Sequence, residues 1–507
     1  MILSLAACGG DDGVPSEILP ASNYEARCAM PRSGTDAITG AKYVDQKGSV
    51  LDEELWLRSW TDDLYLWYSE VPKNDPTKYA TALDYFDVLR TPAVTASGAL
   101  KDKFHFTYVT SDWEKLSLSG TEASYGLQWA LLKTKPPREL LVAFVTPGSP
   151  AAIAGMQRGT KVVTIDGVDV QSGSDTDTLN NGISPSDVNQ THTFVVQDPG
   201  ATATHSIMMT SANVSVAVVQ NGGLLPLAAP DDKIGYILFN THIQPAEKGL
   251  FDAITDLSSK GATDLVLDLR YNGGGYLDIA AELGYMIAGP SSAGKLFERE
   301  NFNDKHPTTD PVTGATIQPT VFHDHGQGFS VDKTMALPTL SLAMPRLFVL
   351  TGPETCSASE AVMNGLAGIG FDVIQIGDTT CGKPYGFYPF DNCSTTYFSI
   401  QFQGDNAMGF GDYPDGFVPG GGDSKISVHD GCVVEDDFTK PLGDPTEARL
   451  AAALYYRKNG ACPPAAAASV ANIAASARRA ADRRATGPDA LLDPTPLWRQ
   501  NRILVQH

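Results

Sequence analysis

The stretch from residue 347 to residue 383 constrains the fold of this 507-residue chain more than any other. Its first residues, L-F-V-L at 347–350, are typical of a buried strand, and a Thr-Gly-Pro turn ends it. The run T-C-S-A-S-E follows, with apolar residues behind it at helical spacing, and a second strand is predicted at 373–376. The pattern therefore predicts a strand–helix–strand unit that places Ser357 at the start of the helix and Lys383 just past the second strand.

A serine at the N-terminus of a helix lies beside backbone N–H groups that have no acceptor within the helix. Such groups can stabilise the oxyanion of an acyl-transfer intermediate. The serine hydroxyl needs a base, and lysine is a base only when neutral, a state that burial favours. The alternative is that Ser357 or Ser359 is an ordinary N-cap. The order of strand, helix, strand and Gly-Lys favours the chemical interpretation.

These residues resemble the C-terminal processing, or tail-specific, serine proteases. In that family the first serine of S-A-S-E is the nucleophile and the lysine of a later G-K is the base. The resemblance implies that Ser357 and Lys383 form a catalytic dyad that needs no cofactor. It also implies a serine endopeptidase that cleaves unfolded or C-terminally recognised proteins.

One position departs from the family pattern. The family often has a glutamine four residues after the lysine, where it orients the amine, and this chain has Phe387. This departure keeps open a catalytically silent protein of the same fold that binds C-terminal peptides. A cysteine protease using Cys356 is a further alternative, but it would need a nearby histidine, which the motif lacks.

A second motif follows a predicted buried strand at 265–269. It reads R-Y-N-G-G-G over residues 270–275 and leads into a helix, so its N–H groups can face an anion. A phosphate loop is disfavoured because neither G-K-[ST] nor G-x-G-x-x-G is present. The resemblance implies that Ala358 and one of Gly273 and Gly274 form the oxyanion site.

Residues 120–215 resemble the PDZ domain of tail-specific proteases. The pattern predicts a strand at 140–145, a short helix ending at Gly155, and a strand at 161–165. The resemblance implies that the N–H groups of the loop Tyr125-Gly126-Leu127-Gln128 bind the terminal carboxylate of a peptide, which adds as a strand. A small β domain without a ligand is the alternative. The polar stretch 171–190 is predicted to be a surface loop or an insertion.

The N-terminal residues L-A-A-C resemble a bacterial lipobox with Cys8 as the acylated residue, and residues 9–13 are typical of a flexible tether. No positively charged segment precedes them, although a secretory signal would have one. The residue after Cys8 is Gly9, not Asp, which by analogy favours the outer membrane. We therefore expect a periplasmic, lipid-anchored protein. A disordered N-terminus with an incidental cysteine is the alternative.

The chain has 7 cysteines, and an even number remains if Cys8 is acylated. An even number outside the cytoplasm favours disulfides. If Ser357 and Lys383 meet, their neighbours come within the Cα separation of about 7 Å that a disulfide requires. We therefore expect the pair Cys356–Cys381. The other expected pairs are Cys393–Cys432 and Cys28–Cys462.

The net charge is −22, from 37 basic and 59 acidic residues. Such a surface repels nucleic acid, so a nucleic-acid partner is not expected. No apolar run reaches the ~20 residues of a membrane span. His323 and His325 could suggest a metal site, but a third ligand is not identifiable, and no metal is expected.

The overall prediction is an α/β protein. The resemblance to tail-specific proteases implies a mixed αββ core of the ClpP/crotonase type, an inserted-type PDZ β domain and an N-terminal helical region. In the helical region Trp56, Trp60, Leu64 and Trp67 share one helical stripe, and His105 is expected at the surface of a short strand. The predicted boundaries are a signal remnant and tether at 1–29, the helical domain at 30–118, the PDZ domain at 119–220, the protease core at 221–462, and an alanine-rich helix with a docking tail at 463–507.

Overall fold

The computed structural model describes residues 17–421, 428, 430–464, 490–491 and 502–505. Cys8, the alanine-rich segment 465–484 and the docking segment 494–498 lie outside these residues. The helices of the described part are, in chain order, α1 Val50–Leu64, α2 Ala82–Phe86, α3 Thr110–Ser119, α4 Pro150–Ile153, α5 Thr176–Ile183, α6 Pro245–Ser259, α7 Leu277–Ala288, α8 Ala358–Gly368 and α9 Ala448–Asn459.

The strands of the described part follow the same numbering along the chain. They are β1 Arg27–Cys28, β2 Gln46–Lys47, β3 Phe106–Val109, β4 Thr121–Ser124, β5 Leu127–Lys133, β6 Glu139–Val145, β7 Lys161–Ile165, β8 Val168–Asp169, β9 Thr191–Gln197, β10 Thr204–Thr210, β11 Ala212–Ser215, β12 Val219–Leu224, β13 Ile234–Phe239, β14 Asp264–Asp268, β15 Gly275–Tyr276, β16 Leu296–Phe302, β17 Thr320–Val321, β18 Arg346–Thr351, β19 Asp372–Gly377, β20 Tyr385–Gly386, β21 Phe390–Asn392, β22 Thr395–Phe398, β23 Phe402–Asp405, β24 Asp430–Val433 and β25 Arg502–Ile503.

The central sheet has the strand order β12-β13-β14-β18-β19-β24, and only its edge strand β12 is antiparallel to its neighbour. Its strands are almost continuously apolar because both faces are covered. In β18, Leu347 and Val349 pack with α6, α7 and α8, whereas Phe348 and Leu350 pack with α9. The predicted α/β fold is therefore confirmed in its core.

Three loops meet at one edge of this sheet. Strands β14, β18 and β19 are parallel neighbours, with Asp268 level with Leu350 and Leu350 level with Ile376. The carboxyl ends of such strands point the same way, and the segments that follow them lie side by side. These segments carry the R-Y-N-G-G-G motif, Ser357 and Lys383.

A small sheet, β5 to β10, has the order β10-β9-β7-β6-β5, with β8 paired to β7. The predicted strand at 161–165 coincides with β7. Of the two structures predicted for 171–190, a surface loop or an insertion, the loop was wrong because this stretch contains α5. Asp175 caps this helix by accepting from Thr178 N, and Leu179 and Ile183, four residues apart, are buried against the small sheet.

The N-terminal region contains the predicted tryptophan helix. Ser49 and Asp52 form a capping box at its start, and Trp56 and Trp60 stack with ring centroids 5.4 Å apart. The helix ends at Leu64, so Trp67 lies beyond it. Within the described residues, none of the helices has the length and apolar character needed to cross a membrane. The boundaries assigned to the predicted domains stay predictions.

His105 was expected at the surface and is buried. It precedes β3, and its ring stacks on Phe86 with centroids 3.7 Å apart, while Nε2 lies 2.9 Å from the Phe86 carbonyl oxygen. Burial lowers the pKa of His105, although Asp102 opposes this effect. The alternating pattern of residues 103–106 suggested a strand with His105 at its surface. Such a pattern cannot show that the ring of Phe86, distant in sequence, covers His105.

Disulfides join all six cysteines of the described residues. Cys356–Cys381 forms as expected, with Cα atoms 5.1 Å apart. The expected pairs Cys393–Cys432 and Cys28–Cys462 were wrong. The structure instead pairs Cys28 with Cys393 and Cys432 with Cys462. The tight turn between β21 and β22 lies beside β1, and the end of α9 lies over β24, so only the tertiary structure determines these partners.

Candidate active site

Ser357 joins β18 to α8 in a strained backbone conformation. Its φ of 61° and ψ of −112° lie in a region that non-glycine residues rarely adopt. Hydrogen bonds on both sides hold it there: Ser357 N donates to Glu360 Oε2 at 2.8 Å, and Cys356 N donates to the Asn272 carbonyl at 3.1 Å. Ser357 Oγ is fully buried and has no hydrogen-bond partner among the described residues. The Ser357 hydroxyl is therefore held in place by its backbone and makes no hydrogen bond to the described residues.

Glu360 joins the two halves of the predicted dyad. Its Oε2 accepts from the main-chain nitrogen of Ser357 at 2.8 Å and from that of Lys383 at 2.9 Å. Because one oxygen serves both, the two nitrogens cannot be farther apart than the sum of these distances. The other oxygen accepts from Gly382 N at 2.9 Å and from Thr380 Oγ1 at 2.5 Å. The sequence analysis quoted this glutamate only as part of a motif and missed its role, although its place three residues after the serine was a usable signal.

Lys383 is fully buried in an apolar pocket. Its Nζ lies 4.8 Å from the ring centroid of Phe104 and 4.6 Å from that of Phe387. Burial lowers the pKa of Lys383 well below the ordinary lysine value, although the Asp102 carboxylate opposes this effect. Phe387, the residue that departs from the family pattern, therefore forms a wall of the pocket and excludes water from the Lys383 amine. Asp102 and Phe104 come from the N-terminal region, and the sequence analysis did not identify them.

The R-Y-N-G-G-G loop is tied to the Ser357 segment through Asn272. The Asn272 carbonyl accepts from Ser359 Oγ at 2.9 Å as well as from Cys356 N, and its Oδ1 accepts from Gly274 N at 2.9 Å. The N–H groups of Gly273 and Ala358 have no acceptor among the described residues. The sequence left Gly273 and Gly274 open as oxyanion donors, and the geometry favours Gly273.

A buried histidine that the sequence analysis missed orients the same loop. His242 Nδ1 lies 3.1 Å from Asn272 Oδ1, while Asn272 Nδ2 donates to the Phe239 carbonyl at 2.9 Å. Since Oδ1 is thereby the acceptor, the proton of the imidazole is on Nδ1. Burial lowers the pKa of His242 to about 3, so the ring is neutral and holds the loop as a hydrogen-bond donor.

The four predicted peptide-binding residues lie together where the small sheet begins. Leu127 starts the edge strand β5, and a cavity of about 520 Å³ is lined by Tyr125, Leu127 and Gln128 together with Ile183 of α5. Gly126 has φ +73°, and a Cβ there would lie 2.3 Å from Ser149 Cβ, so this position requires glycine. An open strand edge beside a cavity can accept an extended peptide.

Side chains of the small sheet reach the site loops directly. Gln128 Nε2 lies 3.2 Å from Glu354 Oε2, three residues before Ser357. Arg158 donates to the Tyr271 hydroxyl at 2.8 Å and to Asp436 at 2.5 Å. The small sheet is therefore fastened both to the segment before the serine and to the R-Y-N-G-G-G loop.

One group of side chains in the described part has the spacing of metal ligands, namely Cys356, Glu360 and Cys381. Its two sulfur atoms are bonded to each other, so they are not thiolate ligands. His323, considered above for a metal, pairs instead with Asp278 at 2.9 Å.

Comparison with known proteins identifies the class of this domain. Residues 233–391 match the sequence model of Peptidase family S41, so this part of the chain is an S41 peptidase domain. The chain is 30% identical over 160 residues to a chloroplastic C-terminal processing peptidase of Tetradesmus obliquus, a match that covers 30% of this chain and 34% of that protein. It is 28% identical over 182 residues to a carboxyl-terminal-processing protease of Picosynechococcus, covering 33% and 39%. The matches thus span less than half the length of these curated relatives.

A solved structure shows the same fold. The putative S41 protease from Bacteroides fragilis superposes with a TM-score of 0.57 at 23% identity, covering 80% of this chain and 97% of that one. The likeness therefore extends well beyond residues 233–391.

Proposed function

We propose that the chain is a serine endopeptidase that uses Ser357 as nucleophile and Lys383 as general base. The observation that carries the proposal is the single Glu360 oxygen that binds the backbone nitrogens of both residues. Burial supplies the neutral amine that a lysine base requires.

In the proposed reaction, Ser357 Oγ attacks the scissile carbonyl carbon while Lys383 Nζ removes its proton. The oxyanion accepts hydrogen bonds from the N–H groups of Ala358 and Gly273. The ammonium of Lys383 then protonates the leaving amine as the acyl-enzyme forms. Water attacks the acyl carbon while Lys383 removes its proton, and the resulting ammonium gives that proton to Ser357 Oγ as the ester bond breaks and the acid product leaves.

The substrates proposed are unfolded proteins or proteins recognised at their C-terminus. A PDZ-type interaction at Tyr125–Gln128 would bind the terminal carboxylate, and the peptide would pair with β5. Support comes from the strand edge, the cavity beside it and the contacts of this sheet with the site loops.

The proposed location is the periplasm, with a lipid anchor on Cys8 in the outer membrane. The support is the L-A-A-C sequence and the glycine-rich stretch after it. Two acyl chains bind a membrane stably, whereas one binds weakly. Cys8→Ser should therefore move the protein from the membrane fraction to the soluble fraction, and an unchanged distribution would contradict the anchor.

The decisive experiment measures cleavage of an unfolded protein by wild type, Ser357→Ala, Lys383→Ala and Lys383→Arg. We expect all three variants to be inactive. Ser357→Ala lacks the nucleophile, Lys383→Ala lacks the base, and the guanidinium of Lys383→Arg stays protonated and cannot act as a base. Lys161→Ala, a change at a half-exposed lysine of β7, is the matched control and should remain active. Undiminished cleavage by Ser357→Ala or Lys383→Ala would reject the dyad.

A silent peptide-binding protein is the second candidate, because Phe387 replaces the expected orienting glutamine. In that case the wild type would bind peptides with a free C-terminus as tightly as the Ser357→Ala variant binds them. Binding together with no cleavage by wild type on many unfolded substrates would favour it.

A further inference from the structure

A short C-terminal segment, Arg502–Val505, lies inside the peptidase domain. Its strand β25 pairs in parallel with β15, which begins at the last glycine of the R-Y-N-G-G-G motif. On its other side, Phe387 N donates to the Arg502 carbonyl at 3.0 Å, and Leu504 N donates to the Phe387 carbonyl at 3.1 Å. The segment therefore forms a strand between the glycine loop and the wall of the Lys383 pocket.

The side chain of Arg502 reaches the nucleophile segment. It is fully buried, and one guanidinium nitrogen donates to the Ser357 carbonyl and to the Tyr413 hydroxyl, each at 2.8 Å. The other terminal nitrogen pairs with Glu298 at 3.0 Å. Three groups from distant parts of the chain thus form one pocket around a single arginine.

Glu298 makes this pocket specific for a cation. Burial raises the pKa of Glu298 to about 7, while Arg502 opposes the rise. A Cβ on Gly404 would lie 2.2 Å from the Glu298 carboxyl carbon, so the backbone packs directly against the carboxyl group. Among the described residues, Arg502 is the only cation paired with Glu298. A basic group in this pocket pairs with the carboxylate and favours its ionised form, whereas without a cation Glu298 would take up a proton.

The tail segment occupies the place of an added strand between β15 and Phe387. Proteins bind extended peptides by adding them to open strand edges, with pockets that select side chains. Here both edges are taken by the chain's own tail, and Ser357 and Lys383 have no exposed surface. A substrate can reach the dyad only after something moves, and the tail touches the Ser357 segment directly.

We infer that Arg502–Val505 is a built-in pseudosubstrate that occupies the strand cleft between β15 and Phe387, and that the Glu298–Tyr413 pocket selects an arginine or lysine in the peptides that displace it. The substrate class is an extended peptide with a basic residue followed by aliphatic ones, as in Arg-Ile-Leu-Val of the tail. The inhibitory effect rests on the proposed peptidase function, whereas the binding does not.

The binding test uses the full chain with Ser357→Ala, with and without Arg502→Glu, which should repel the tail from Glu298. The probe is a fluorescent peptide of residues 501–507 with an amidated C-terminus, because amidation removes the carboxylate that the small sheet would bind. We expect at least about tenfold tighter binding by the double variant than by Ser357→Ala alone. Adding Glu298→Gln, or replacing the arginine of the peptide by glutamate, should abolish this gain. Equal binding in all cases would overturn the inference.

The activity test compares cleavage of an unfolded protein by wild type, Arg502→Glu and Arg502→Lys. We expect several-fold faster cleavage by Arg502→Glu, near-wild-type rates for Arg502→Lys, and competitive inhibition of Arg502→Glu by the amidated peptide, with KM raised and kcat unchanged. Arg346→Glu reverses an arginine at the opposite end of β18 and should not activate. A folded Arg502→Glu variant with unchanged or lower activity would show a structural role and overturn the inhibition.

The two proposals fail in different ways. Peptide binding that depends on Glu298, without cleavage by any variant, would reject the peptidase function and leave the tail site intact. Cleavage by wild type, without activation of Arg502→Glu and without peptide binding, would reject the tail site alone.

Discussion

At the scale of single residues, the candidate site depends on two unfavourable states that the surroundings maintain. Ser357 has a positive φ without being glycine, and Lys383 is an ionisable amine without exposed surface. Each state costs free energy of order 1–3 kcal/mol or more. Such costs persist where the surrounding contacts over-determine the geometry, and here those contacts converge on Glu360.

Glu360→Gln should separate the two halves of the site. An amide has only one oxygen, so its NH₂ group would face N–H donors that the carboxylate now binds. We expect the rate of peptide cleavage to fall by about 10²-fold or more, since hydrogen bonds to a charged group contribute about 1.5–3 kcal/mol each. The measurement is kcat/KM with circular dichroism to verify folding.

Glu247→Gln is the matched control for this change. Glu247 is also buried and binds several backbone N–H groups, among them Gly328 N at 3.1 Å, but in a loop away from Ser357. We expect it to lower stability and to leave kcat/KM of the folded protein near wild type. Equal losses of activity in both variants would show that Glu360 acts only through stability.

Lys383→Met should abolish activity and stabilise the protein. Between the lowered pKa of Lys383 and the unfolded-state pKa of about 10.4, the unfolded chain binds a proton that the folded chain does not, so folding is penalised by about 1.4 kcal/mol for each pH unit below about 10.4. Methionine has similar volume and no such penalty. We expect a higher free energy of unfolding at pH 7, with the difference shrinking as the pH approaches 10.

The same lowered pKa determines the pH dependence of the wild type. Cleavage should increase as the pH rises through the pKa of Lys383, because only the neutral amine accepts a proton, and this limb should lie well below the ordinary lysine range. Activity that rises only near pH 10 would be incompatible with a buried lysine base.

At the scale of elements, the disulfide Cys356–Cys381 spans the two segments that carry the dyad. Thr355 and Cys381 are also joined by a backbone bond of 2.9 Å, so the turn before α8 and the turn after β19 form one block. The second disulfide of similar span, Cys432–Cys462, fastens α9 to β24 on the other side of the central sheet.

Replacing each disulfide by two alanines should distinguish these roles. The sequence separations are 25 and 30 residues, so loop-closure entropy predicts a similar loss of about 3–4 kcal/mol of stability for each. We expect Cys356→Ala/Cys381→Ala to lose most of its activity at a temperature where it stays folded. Cys432→Ala/Cys462→Ala should keep it, and equal activity in the two variants would contradict a positioning role.

At the scale of the whole molecule, a buried charge network joins the small sheet to the central sheet. Asp436 pairs with Arg158 at 2.5 Å and with Arg270 at 2.7 Å, and Arg270 also pairs with Glu447 at 2.9 Å. Although burial raises the pKa of Asp436, the guanidinium groups lower it further, and the net shift is well below the ordinary range.

Asp436→Asn should destabilise the molecule by about 3–5 kcal/mol, because it leaves buried guanidinium groups without their counter-ion. The same contribution should be lost in the wild type as the pH falls below about 3.9 through the lowered pKa of Asp436. Thermal unfolding at pH 7 measures the first effect, and the fall in stability between pH 7 and pH 3 measures the onset of the second. Asp405→Asn, which breaks a half-exposed pair with Arg299, is the control and should cost at most about 1 kcal/mol.

The sequence by itself determined the local architecture of the site. The periodicity of residues 347–383 predicted β18, α8 and β19, and the order of these elements placed Ser357 at the start of the helix and Lys383 just past the second strand. The reason is physical, since side-chain periodicity and the direction of parallel strands are local properties. The disulfide Cys356–Cys381 followed from the same placement, because its members neighbour the dyad.

Only the tertiary structure decided which distant residues complete that site. Asp102 and Phe104 reach Lys383 from the N-terminal region, and Arg502 reaches Ser357 from the far end of the chain. The partners of Cys28 and Cys432 were mispredicted for the same reason. Contacts across hundreds of residues depend on strand order and on how layers pack. Burial, which lowers the pKa of Lys383 and raises that of Glu298, exists only once those layers have closed.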